Sequence, residues 1–134
     1  MNKSTVLTGL DAYHYLDLDP INQKIYYTQG VSYTSPSSMD VGKVDYDGTN
    51  QIVLRDGDQQ SGWFPSGIAV DVDDSKVYWG AAGIIPSLST GLEYFGQVNV
   101  VDIDGSNAAQ LAPWVSIHGR GLALDVCTHL FYFT

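Results

Sequence analysis

Three stretches of this chain align on one another without a gap: YLDLDPINQKIYYT (Tyr15 to Thr28), GIAVDVDDSKVYWG (Gly67 to Gly80) and GLALDVCTHLFYFT (Gly121 to Thr134), at offsets of 52 and 54 residues. Each has an apolar run, an aspartate (Asp19, Asp71, Asp125) and, seven residues later, a tyrosine (Tyr26, Tyr78, Tyr132) followed by a second aromatic (Tyr27, Trp79, Phe133). Such a repeat constrains the fold more than any other feature, because each copy is a supersecondary unit that buries its apolar surface only against its neighbours.

Within a copy, short β-rich runs flank a polar stretch such as Pro20 to Lys24 or Asp73 to Lys76, which reads as two strands and a tight turn. The first strand is apolar on consecutive residues, as in Ile68-Ala69-Val70, which predicts burial on both faces. A third strand (Gly42 to Tyr46; Gly96 to Ile103) and a fourth (Gln51 to Leu54; Ala109 to Leu111) follow. No window has sustained helical periodicity, so the unit is four antiparallel strands. The repeats run over about residues 13–64, 65–118 and 119–134.

A second repetition sits inside the first. VDYDGTN (Val44 to Asn50) and VDIDGSN (Val101 to Asn107) are near-copies of one acidic heptapeptide. An EF-hand calcium loop needs glycine at its sixth position and a bidentate carboxylate at its twelfth. Counted from Asp45 the glycine falls fourth, and counted from Asp102 the twelfth residue is Pro113. The spacing fits a hairpin turn instead, with Asp-Gly supplying positive φ and the polar side chains satisfying nearby amides.

At 134 residues the chain holds one domain, 1–134, and its net charge of −9 repels phosphate backbones, so nucleic acid is not expected as a partner. Only Glu93 among the 15 acids is a glutamate, a bias that suits turns rather than helices. Cys127 is the sole cysteine, which excludes an intrachain disulfide and leaves the redox compartment open. No run reaches membrane-spanning length, and Met1 to Leu10 has no apolar stretch of signal-peptide length.

Repeated four-stranded units carrying an aromatic pair are the sequence sign of a β-propeller. Pro65-Ser66-Gly67-Ile68-Ala69-Val70-Asp71, then Tyr78-Trp79, then Asp102-Ile103-Asp104-Gly105-Ser106-Asn107, with Arg120-Gly121-Leu122-Ala123-Leu124-Asp125, resembles the YWTD repeat, also called the low-density lipoprotein receptor class B repeat. Where that family has Tyr-Trp-Thr-Asp, this chain has Tyr26-Tyr27-Thr28-Gln29 and Tyr78-Trp79-Gly80-Ala81. The resemblance implies a six-bladed propeller, an extracellular setting and protein partners. Two complete units and part of a third then make an all-β arc of about three four-stranded blades, half of such a ring. Open arcs leave apolar blade faces bare. Residues 5–8 (Thr-Val-Leu-Thr) read as an outer strand that closes a partner's last blade, which gives a homodimer. The alternative is a fragment of a longer propeller.

Turns in a meander alternate between its two ends, so the long connections share one face. These are Gln29 to Val41, Ala81 to Phe95, Arg55 to Ser66 and Ala112 to Arg120. They carry Tyr33, Trp63, Phe64, Tyr94, Phe95, Trp114, His118 and Arg120, and aromatics beside an arginine are the usual makings of an interface hot spot. The competing structural role is wedging between blades, for Trp63, Phe64 and Trp114, or an internal ion pair of Arg120 with Asp71 or Asp125.

Catalytic signatures are missing. His14, His118 and His129 offer no metal-ligand spacing, and there is no nucleophile elbow or phosphate loop. The reading is a non-catalytic binding or scaffold module with no cofactor or metal, engaging a protein. Two alternatives remain at this stage. One is a carbohydrate-binding lectin that stacks sugars on Trp63 or Trp114. The other is a lactonase-like hydrolase with a metal held by Asp19, Asp71 and Asp125.

Overall fold

The computed structural model describes residues 15–30, 39–56, 63–87, 91–115 and 121–133, and all of the regular structure there is β. Strands β1 (Tyr15–Asp19), β2 (Lys24–Gly30), β3 (Met39–Asp45) and β4 (Ile52–Arg55) make a first antiparallel sheet. A second contains β5 (Trp63–Asp71), β6 (Lys76–Ser87), β7 (Gly91–Asp102) and β8 (Ala109–Val115). The third has β9 (Leu122–Asp125) and β10 (Leu130–Phe133). Strand order follows chain order in all three, and none is closed. The all-β expectation holds. Residues 5–8 lie outside the described residues.

Strand alternation assigns the faces. Ile68 and Val70 on β5, Val77 and Trp79 on β6 and Val101 on β7 share one face, and they join Tyr26, Val41 and Leu54 of the first sheet in a single buried core. Burying each such side chain contributes about 1.5–3 kcal/mol relative to exposure. The opposite face of the second sheet turns to the third, where the Tyr78 ring meets Phe131 at 4.4 Å between centroids. Ile68, Ala69 and Val70 are therefore all buried, because sheets lie on both sides of β5.

First strands stand next to first strands: β1 lies against β5, and β5 against β9. Asp17 Oδ2 accepts the Val70 N–H at 2.7 Å across the first of these junctions. Farther out, Lys43 Nζ donates to the Ile103 carbonyl at 2.5 Å.

One expectation is corrected. Ala81 to Phe95, read from sequence as a long loop, is mostly strand: β6 and β7 are each 12 residues long and pair continuously from Lys76–Asp102 to Ser87–Gly91. Gly83 and Gly91 take part in this ladder, which is held by backbone groups that glycine possesses in full. Likewise β5 begins at Trp63, β8 runs on to Val115, β2 runs to Gly30 and β3 begins at Met39, so parts of the other three expected loops are also strand.

Candidate functional site

The recurring aspartates act on their own turns. Asp19 Oδ1 accepts the Asn22 N–H at 2.9 Å and its Oδ2 accepts Asn22 Nδ2 at 2.7 Å. Asp125 takes the Cys127 N–H at 3.0 Å and the Thr128 hydroxyl at 2.7 Å. Asp71 Oδ1 accepts the Asp74 N–H at 3.1 Å. In each turn the residue four places on (Gln23, Ser75, His129) has φ between 53° and 55°. An aspartate capping a one-residue left-handed corner is thus part of the repeat's architecture.

The heptapeptides are two copies of one hairpin turn. Gly48 N–H donates to the Asp45 carbonyl at 2.9 Å and Gly105 N–H to that of Asp102 at 2.8 Å, with φ of 86° and 92° at the two glycines. Asp47 Oδ1 accepts from the Thr49 N–H and hydroxyl, as Asp104 Oδ1 does from Ser106. The Asn50 and Asn107 amides donate to Asp45 Oδ2 and Asp102 Oδ2, while Lys24 and Lys76 cover the other oxygen of each. Hydrogen bonds from Asn50 and then Lys24 hold the Asp45 carboxyl below its ordinary range, and those from Lys76 and then Asn107 do the same for Asp102. Every acid here is engaged by its own turn.

A cluster the sequence did not reveal joins the second and third sheets. His129 Nδ1 lies 3.2 Å from Asp71 Oδ2 and 3.4 Å from Asp74 Oδ2. Asp71 is fully buried, whereas His129 and Asp74 are about half exposed. With its proton on Nδ1 the imidazole donates to the Asp71 carboxyl, whose other oxygen takes the Asp74 N–H. The same three ligand atoms lie within 4.8 Å of one another, a set that suits a borderline divalent cation. Asp71 and His129 stand 58 residues apart, so no spacing motif connects them. The available signal was the repeat itself, which puts a histidine at the corner where the other copies have Gln23 and Ser75.

The expected binding residues divide in two. Tyr33, His118 and Arg120 lie outside the described residues. Trp63 and Phe64 are on β5, Tyr94 and Phe95 on β7, and Trp114 on β8. Trp63 pairs with Gly83, which pairs with Phe95, and Ile84 pairs with Tyr94 one step farther along. Phe64 pairs with Ala82, which pairs with Gly96, and Gly96 pairs with Val115, the neighbour of Trp114. Backbone register thus gathers five aromatic residues from three strands at one end of the second sheet. Among the described residues, the β6–β7 pairing alone continues past Trp63 and Val115, over residues 84–87 and 91–94.

What fold and site define is a class: an all-β protein of repeated antiparallel sheets, packed first strand to first strand. Comparison with protein-family models, curated proteins and solved structures returned no match to this chain.

Proposed function

We propose that the chain is a non-catalytic binding module, that its sheets are blades of a propeller arc of the YWTD type, and that it takes a protein partner at the aromatic end of the second sheet. The observation that carries this reading is the register that collects Trp63, Phe64, Tyr94, Phe95 and Trp114 at the end of the second sheet where the β6–β7 pairing runs on. Large aromatics concentrate binding energy with little conformational freedom to lose, and a rigid sheet supplies the positioning. The first-strand contacts between β1, β5 and β9 support the propeller arrangement. On the catalytic side, Asp19 and Asp125 are engaged by their own turns and do not join Asp71 in a cation site.

The test is to select binders from a displayed peptide library and to map them by protection of backbone amides. Protection over 63–64, 94–95 and 114, lost in Trp63→Ala and Trp114→Ala, supports the reading. Binders that map elsewhere, or a glycan array that outcompetes peptides at the same residues, overturn it.

A further inference from the structure

We propose that Asp71, Asp74 and His129 form a site for one borderline divalent cation of the zinc class, which ties the third sheet to the second. In every repeat the recurring aspartate caps its corner with one oxygen, and the repeats differ in what the other oxygen receives. Asp19 Oδ2 accepts Asn22 Nδ2 at 2.7 Å, and Asp125 Oδ2 accepts the Thr128 hydroxyl at 2.7 Å. Both donors stand three residues after their aspartate. In the second repeat that position is Asp74, whose ionised carboxylate has no proton to give.

Asp71 Oδ2 is therefore left without a donor from its own turn, on a side chain that is fully buried. Among the described residues it meets only His129 Nδ1, at 3.2 Å, which comes from the corner between β9 and β10. The same nitrogen lies 3.4 Å from Asp74 Oδ2. Two carboxylates thus face one ring nitrogen. A proton on Nδ1 is directed at one oxygen and leaves the second acid beside a like charge, whereas a doubly charged cation among the three neutralises both.

Ligand type and spacing select the cation. A tetrahedral zinc with bonds of about 2.0–2.1 Å holds its ligand atoms about 3.3–3.4 Å apart. The two nitrogen-to-oxygen distances, 3.2 and 3.4 Å, are edges of that size, and all three ligand atoms fall within 4.8 Å of one another. With the proton on Nε2, the Nδ1 lone pair and two carboxylate oxygens supply three ligands. His129 and Asp74 are about half exposed, so water reaches the fourth position. Calcium takes about six to eight oxygen ligands and does not fit a set built on an imidazole. A chain of net charge −9 attracts every cation, so preference for zinc over calcium is what separates this site from general surface acidity.

Calorimetric titration of zinc chloride into the chelator-treated chain tests this. One zinc per chain at micromolar affinity or tighter is expected, with a higher melting temperature and slower amide exchange over 122–133, because a cation bound only by the folded state stabilises it. His129→Gln installs the residue that the first repeat has at this corner, Gln23, and Asp74→Asn restores the donor that Asn22 supplies there. Both variants are expected to fold and to bind zinc more than about tenfold more weakly. Cys127→Ser, two residues from His129, is expected to leave zinc binding unchanged, and calcium chloride at the same concentration to leave the melting temperature where it was. No response to zinc, an equal response to calcium, zinc binding that survives His129→Gln, or binding lost in Cys127→Ser each overturns the proposal.

Discussion

Gly67 and Leu122 touch backbone to backbone: a Cβ on Gly67 would fall 2.7 Å from both the Cβ and the main-chain nitrogen of Leu122. Gly67 also adopts φ of 144° at a register shift in β5, so glycine is required there for conformation and for clearance alike. Gly67→Ala is expected to destabilise the protein by about 2 kcal/mol or more, strain and overlap adding together. Chemical denaturation measures the loss. An unchanged midpoint would mean that the second and third sheets are not packed this closely.

Among the described residues, three buried side-chain polar atoms have no hydrogen-bond partner: Thr28 Oγ1, Trp79 Nε1 and Asn99 Nδ2. Thr28 is wholly inaccessible, sits on β2 opposite Val41, and brings a hydroxyl into a core of valine, isoleucine and tyrosine. Thr28→Val keeps the branched shape favoured in strands and removes the unmatched group. It is expected to stabilise the fold by about 1 kcal/mol, since an unpaired buried hydroxyl costs that much or more. A lower melting temperature in the variant would show that the hydroxyl holds a buried water.

Much of this architecture was legible because it is local. The spacing from aspartate to tyrosine marks β1–β2, β5–β6 and β9–β10, and the Asp-Gly turns lead from β3 to β4 and from β7 to β8. Ala81, Ala82 and Gly83 were not legible as strand because small residues carry no side-chain sign of it, and their conformation is set by pairing with residues 95–97. The contact of His129 with Asp71 was hidden for another reason, as it depends on how one sheet stands beside the next. Of the expected binding residues, register explains why Trp63 and Phe95 fall in one row, a relation that 32 residues of separation conceal.

Acid is expected to weaken the fold in a defined window. Asp45, Asp47, Asp102, Asp104 and Asp125 are held below the ordinary aspartate value by hydrogen bonds from their own turns and, for Asp45 and Asp102, from Lys24 and Lys76. A carboxyl whose folded pKa lies below its unfolded one adds stability that is complete above about pH 4 and disappears as pH falls through the folded value. Melting temperature should therefore hold down to about pH 4 and fall below it. Asp102→Asn should start lower at neutral pH and fall less steeply. Equal slopes for the two proteins would remove the turn carboxyls from the account. At the alkaline end, burial raises the Tyr26 and Tyr78 hydroxyls, helped by Asp19 and Asp71 respectively. That contribution is complete below about pH 10 and is lost as pH climbs through the raised values.

Tyr78 and Phe131 meet at 4.4 Å between centroids with their planes tilted by 58°, the geometry in which ring edges and faces attract. They are the principal aromatic contact between the second and third sheets among the described residues. Tyr78 is 7% exposed, so its truncation removes a buried ring as well as the pair, and a single variant cannot separate the two effects. A double-mutant cycle of Tyr78→Leu and Phe131→Leu isolates the pair, and a coupling of about 0.5–1.5 kcal/mol is expected from denaturant midpoints. Because β9 and β10 make only a two-stranded sheet, Phe131→Leu should also raise amide exchange over 122–133 while leaving β1–β3 protected. Zero coupling together with unchanged exchange would mean that the third sheet is not held through these rings.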